Sequence, residues 1–197
     1  MTKQRTGALA SIVVAGALVL AGCTTTTDMN GMDHGASPAT SDASFNAADE
    51  AFLVGMIPHH EQALEMAELV LAKDDVDERV VELAQRIQAA QQPEIDLMTS
   101  WLEDWGLDPD LDGMGGMDHG SDGMMSDQDM AALEAASGPD ASTLFLSQMI
   151  QHHTGAIVMA QQELDNGRDA QVLDLAQQII DAQTAEIAEM EQLLTQL

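Results

Sequence analysis

Phe52-Leu53-Val54-Gly55-Met56-Ile57-Pro58-His59-His60 returns 93 residues on (52 to 145) as Phe145-Leu146-Ser147-Gln148-Met149-Ile150-Gln151-His152-His153. The match continues through Ala63, Met66 and Ala67, which correspond to Ala156, Met159 and Ala160. A second block follows in each copy: Leu83-Ala84, Ile87, Gln91, Glu94, Ile95 and Met98 against Leu175-Ala176, Ile179, Gln183, Glu186, Ile187 and Met190. Its spacing is one residue shorter, so one residue was lost in the turn between the blocks. Each half therefore pairs a His-bearing segment with a Gln/Glu-bearing segment. Two copies at so long a period do not make a solenoid. They read as a duplicated helical hairpin folding onto itself.

Apolar spacing supports helices throughout. From Ala47 to Ala72, Phe52, Met56, Ile57, Ala63, Leu64, Ala67 and Leu71 recur at helical intervals. Pro58 lies inside this run and is expected to kink it or mark a break before the His pair. A second helix spans about Val76 to Trp105, with Val80, Leu83, Ala84, Ile87, Ile95, Met98 and Leu102 as its inner stripe and Pro93 as a further interior proline. Gly106 and Pro109 end it. A short helix capped by Ser126 is expected over Asp127–Ala136. Gly138-Pro139-Asp140 opens a third long helix ending near Asn166-Gly167, where the glycine suits a C-cap. A fourth runs from Asp169 to about Leu197. No strand pattern is present, so the fold is all-α: an up-and-down four-helix bundle over 46–197, with a Gly/Asp/Met-rich linker at 108–126.

The ends and the charge set the location. Residues 1–23 have the form of a lipoprotein signal: Lys3 and Arg5, the apolar run Ala8 to Leu20, then the lipobox Leu20-Ala21-Gly22-Cys23. The run is too short to span a bilayer. Cys23 is the only cysteine, which leaves no internal disulfide and fits a lipidated N-terminus. Residues 24–45, rich in Thr, Ser, Gly and Asp, read as a flexible tether. The expected place is the extracytoplasmic face of a cell membrane. The formal net charge is −28, and loss of Lys3 and Arg5 with the signal makes it more negative still. Phosphate backbones would be repelled, which excludes nucleic acid, and no polybasic patch serves anionic lipid.

Four of the six histidines fall in the repeat as adjacent pairs flanked by methionine. Residues three, four and seven apart share a helix face. Met56, His59, Ala63 and Met66 therefore form one stripe, and Met149, His152, Ala156 and Met159 its twin. His60 and His153 lie about 100° round. Imidazole with thioether is a ligand set for soft or borderline metals, copper above all, with Cu(I) favoured and other transition metals allowed. The competing reading is ordinary: methionines fill cores, and buried histidines hydrogen-bond to neighbours. Gln91, Glu94, Gln183 and Glu186 are candidates to hold the imidazoles from behind, or else a buried polar layer fixing helix register. Gly31-Met32-Asp33-His34-Gly35 recurs as Gly116-Met117-Asp118-His119-Gly120, with Met124 and Met125 nearby. Met32, His34, Met117 and His119 are thus secondary, flexible metal candidates. No Glu-x-x-His, His-Glu-x-x-His or Walker loop occurs, and no nucleophile with an oriented base can be assembled.

The Met-x-x-His-His-x-x-Ala-x-x-Met-Ala pattern at Met56–Ala67 and Met149–Ala160 resembles the domain-of-unknown-function 305 family. So do Ala84, Ile87, Ala90, Gln91 and Glu94-Ile95, with Ala176, Ile179, Ala182, Gln183 and Glu186-Ile187 as the second copy. The resemblance implies a ferritin-like four-helix bundle in a secreted or membrane-anchored bacterial protein. Some members are linked to periplasmic copper binding and tolerance through Met and His. Pro58 and Pro93 occur in one half only, a departure that makes the two halves inequivalent. The expectation is a lipid-anchored, non-enzymatic copper-binding protein that sequesters or delivers the ion, with a homo-oligomer allowed. A metal-dependent oxidase using the same pocket and a metal-free structural bundle are the rivals.

Overall fold

The computed structural model describes residues 44–108 and 123–197. The expected signal with Cys23, nearly all of the expected tether, and Met32, His34, Met117 and His119 lie outside the described residues. Among the described residues there are five helices and no strand: α1 (Ala47–Leu71), α2 (Glu78–Asp104), α3 (Asp127–Ala135), α4 (Gly138–Asn166) and α5 (Ala170–Leu194). The starts are chemically marked. Asn46 caps α1 through the N–H groups of Ala48 and Asp49, and Asp49 returns a bond to the Asn46 N–H. Asp77 and Asp169 cap α2 and α5, and Ser126 forms a capping box with Asp129 on α3. Each satisfies N–H groups that have no partner within the helix.

The break expected near Pro58 does not occur. α1 runs unbroken through Pro58, and α2 through Pro93. Both prolines are on exposed positions, and so is Ala89, whose carbonyl lost its partner at residue 93. A carbonyl freed on the solvent side finds water, so a surface proline interrupts one bond without ending the helix.

α1 pairs with α2 and α4 with α5 as up-and-down hairpins, and α1 packs directly on α4. The direction of that contact is fixed at both ends. Near the start of α1, Asn46 Nδ2 donates to the Asn166 carbonyl at 3.0 Å, and Asp49 accepts from the N–H groups of Arg168 and Asp169. At the other end the Asp77 N–H donates to Ser142 Oγ at 3.1 Å. α4 is therefore antiparallel to α1 and runs the same way as α2. One crossover must carry the chain back along the bundle, the connection of ferritin-like folds. Arg86 with Glu189 joins α2 to α5, and Arg79 with Gln196 joins α2 to the residues just past the end of α5.

The crossover returns as a docked segment. Gln62 on α1 donates to the Met125 carbonyl at 2.9 Å and accepts from its N–H at 2.7 Å; Gln148 on α4 donates to the Asp129 carbonyl. Met125, placed by sequence in the flexible linker, is buried in the core. The correction has a plain cause: an apolar side chain beside a glutamine that satisfies both its backbone groups gains by docking. Phe45, placed at the end of the tether, likewise belongs to the bundle, its ring stacked on Trp105 at 4.0 Å.

The interior has two apolar clusters rather than one. The first gathers Ala63, Met66, Val70, Leu83, Ile87, Phe145, Leu146, Met149 and Met190; the second gathers Phe52, Leu53, Met56, Ile95, Met98, Ala156, Ala160, Val172 and Ile179. In chain order the four histidines fall between them on both α1 and α4. A polar layer divides the core.

Candidate metal centre

Adjacent residues on a helix point about 100° apart, so each His pair addresses two neighbours at once. His59 on α1 and His152 on α4 meet across the interface of the two halves, ring centroids 3.8 Å apart and planes inclined by 39°. His60 turns instead to α2, where its Nε2 lies 2.7 Å from Glu94 Oε2. His153 turns to α5 and lies 2.7 Å from Glu186 Oε2. The duplicated hairpin thus repeats the same His–Glu pair on opposite sides of a shared centre.

All four imidazoles are 1% exposed or less, while the Glu94 and Glu186 side chains remain 24% and 20% exposed. A carboxylate only accepts, so the facing Nε2 of His60 and of His153 carries the proton, which leaves Nδ1 as the other donor atom. Both of those Nδ1 atoms are buried without a hydrogen-bond partner. Burial holds His152 well below the ordinary histidine range, and the neighbouring His59, His153 and His60 press the same way, outweighing a hydrogen bond to the His59 backbone. His152 is therefore neutral near pH 7, with a lone pair to offer. Buried nitrogens without partners are uncommon in native interiors, and a group that accepts lone pairs would satisfy them.

The thioethers flank this layer on both sides. Met56 and Met159 lie in the cluster of Ala156; Met66 and Met149 lie in the cluster of Ala63. Each side carries one methionine from α1 and one from α4. Met56, Met66 and Met149 are wholly buried and Met159 partly so, its Cε close to Gly55. Met98 and Met190 are also fully buried, one in each cluster. They were not among the sequence candidates, although their equivalent positions in the repeat marked them.

Gln91 and Gln183 are buried one turn from the glutamates, but neither Gln91 amide atom nor Gln183 Oε1 has a partner. Glu94 and Glu186, then, are the residues that hold imidazoles. Among the described residues no three His, Cys, Asp or Glu side chains converge on one ion position. His59 and His152 meet with tilted rings, while His60 and His153 turn away to the glutamates. The set of imidazole and thioether donors fits a soft or borderline metal.

The family model described as a domain of unknown function (DUF305) matches residues 49–194. The chain belongs to the DUF305 family. Among solved DUF305 structures, a fragment from Deinococcus radiodurans is 32% identical, with a TM-score of 0.72 over 79% of this chain and 100% of that one. A family protein from Streptomyces coelicolor described as a secreted protein is 33% identical, with a TM-score of 0.69 over 76% and 91%. CopM, solved in Cu(I)-bound, Cu(II)-bound, silver-bound and apo forms, is also similar. Its Cu(I) form is 32% identical, with a TM-score of 0.62 over 75% of this chain and 96% of that one. No curated protein matches the chain. No helix among the described residues is long and apolar enough to cross a membrane.

Proposed function

We propose that this DUF305 protein binds copper on the extracytoplasmic side of a membrane and sequesters it or passes it on. His59, His60, His152 and His153 supply the imidazoles, and Met56, Met66, Met149 and Met159 the thioethers that favour Cu(I). Cys23 provides the lipid anchor. The observation that carries the reading is the imidazole layer at the joint between the halves, with Nδ1 of His60 and of His153 buried and without partners. Burying polar atoms so costs stability unless a ligand engages them. The likeness to CopM, a protein solved with Cu(I), Cu(II) and silver bound, supports the same reading. Glu94 and Glu186 would fix the orientation of His60 and His153 and raise their basicity toward the ion.

Metal analysis of the mature protein after equilibration with copper and with zinc tests the reading. Copper should be retained in stoichiometric amount. Replacing Met56, Met66, Met149 and Met159 by leucine nearly conserves core volume, each swap costing less than about 1.5 kcal/mol, and should weaken Cu(I) binding while the fold survives. Replacing the four histidines should weaken both oxidation states. Full copper retention without the four histidines ends the proposal and leaves the layer as a register-fixing structural device. For the anchor, Cys23→Ser should release the protein from the membrane fraction or block its processing; unchanged membrane association refutes that part.

A further inference from the structure

Asp49 and Glu163 are the acidic residues among the described chain that are buried outright, at 0% and 2% exposed. Neither belongs to the repeated motifs, and the metal reading uses neither. Their surroundings are opposite in kind. Asp49 Oδ1 accepts from the N–H groups of Arg168 and Asp169, each at 2.9 Å, and Oδ2 accepts from the Asn46 N–H at 2.6 Å. Three backbone donors suit a carboxylate. Glu163 has no donor for either carboxyl oxygen, and the turn at Gly167 against which its carboxyl lies is the one whose next two N–H groups, of Arg168 and Asp169, donate to Asp49, so the two carboxyls share one turn. The turn is shaped around it: a Cβ at Gly167 would collide with the Glu163 carboxyl, so this C-cap needs glycine for room, its φ of −67° being ordinary.

Two carboxyl groups facing one another out of water cannot both ionise. The backbone donors decide which keeps the charge. We propose that Asp49 and Glu163 share a single proton, carried by Glu163 and directed at Asp49, as a clasp that ties the first turn of α1 to the α4–α5 turn and loosens when that proton is lost. The groups facing Glu163 are Asp49 from α1 and Asp169 at the head of α5, both acidic. Burial, then the hydrogen bond and charge of Asp49, then the charge of Asp169 push Glu163 up to about 8. Burial also acts to raise Asp49, but the N–H groups of Arg168, Asn46 and Asp169 outweigh it and hold the group low. The clasp lies where residues 24–45 join the bundle, beside the Asn46 cap and its bond to Asn166. It is a pH-sensitive fastening at the point where the N-terminal segment meets the fold.

Hydrogen exchange on the full chain without added metal tests this, from near the ordinary value of 4.5 to above the raised value of about 8. After correction for intrinsic exchange, protection of the amides of α1's first turn and of Arg168 and Asp169 should fall with rising pH by up to roughly tenfold per unit below this value, the slope of a single proton, and level off above it. Glu163→Gln keeps the shape, offers Asp49 an N–H donor and should stay level. An equal fall in the variant, or a level response in the wild type, overturns the proposal. Infrared spectroscopy gives a readout that needs no variant: a protonated-carboxyl band present below this pH and lost above it. Absence of that band in the wild type at the lower pH also overturns the proposal.

Discussion

At the scale of the residue, the chemistry depends on which ring nitrogen is left over. Glu94 and Glu186 engage Nε2 of His60 and His153 at 2.7 Å, which assigns the remaining lone-pair position to Nδ1. Glu94→Gln with Glu186→Gln preserves size but removes the acceptor-only character that fixes the tautomer. Copper affinity should fall about 10- to 100-fold, the usual effect of losing a partner behind a ligand, with little change in thermal midpoint because both side chains are partly solvated. An isothermal competition titration against a copper chelator reads the affinity. Affinity equal to wild type in the double variant would show that the two glutamates serve only the fold.

Elements are placed here by small, specific fastenings more than by propensity. Gly123 stands where the crossover reaches α4, at φ +78°, and a Cβ there would lie 2.7 Å from the Gln151 carbonyl oxygen and 2.9 Å from Gly155 Cα. Gly123→Ala should cost on the order of 1–3 kcal/mol through a left-handed backbone and a backbone collision, measured by denaturant unfolding. It should also loosen the Met125 bonds to Gln62, seen as lost amide protection at Met125. A change within experimental error would mean that the crossover docks independently of that contact. At the start of α1, Asn46→Ala removes the side-chain half of a capping box and the link to Asn166, while the backbone N–H at 46 still donates to Asp49; about 1 kcal/mol is expected, and a thermal midpoint equal to wild type would contradict it.

For the whole molecule, the histidine layer lies at the joint of two hairpins, so a ligand held by both pairs stabilises their association. Copper at about a hundred times its dissociation constant should add roughly 2.7 kcal/mol to unfolding stability, and the four-histidine variant should show none of this gain. Stability should also depend on pH through Glu163. Its folded pKa of about 8 lies above the ordinary 4.5. Below 4.5 it is protonated in both states and carries no penalty. Between the two values the unfolded chain sheds a proton that the folded chain keeps, so this residue's contribution falls with rising pH, by at most about 1.4 kcal/mol per unit. Above about 8 the penalty is constant. Urea unfolding of wild type and Glu163→Gln across this range should show the downward slope shrinking in the variant; parallel curves would exclude Glu163 as its source.

The duplicated block settled in advance that the fold is all-helical and built from two hairpins, because apolar spacing fixes a helix face wherever packing needs one. The inner stripe of α2, from Val80 to Leu102, is buried as its periodicity required. The Asn166-Gly167 and Asp169 signals put the α4–α5 turn within a residue or two of its place. Spacing along one chain also gave the stripe of Met56, His59 and Met66 and its twin, since neighbours on a helix face are a local property. It could not say which helix each face meets. That His59 meets His152 while His60 and His153 reach glutamates on α2 and α5 follows from the antiparallel contact of α1 with α4 and from the crossover that permits it. The same holds for Asp49 and Glu163, brought together across the bundle. Their proximity is a product of tertiary packing, and burial is what turns two ordinary acids into a pair with one proton between them.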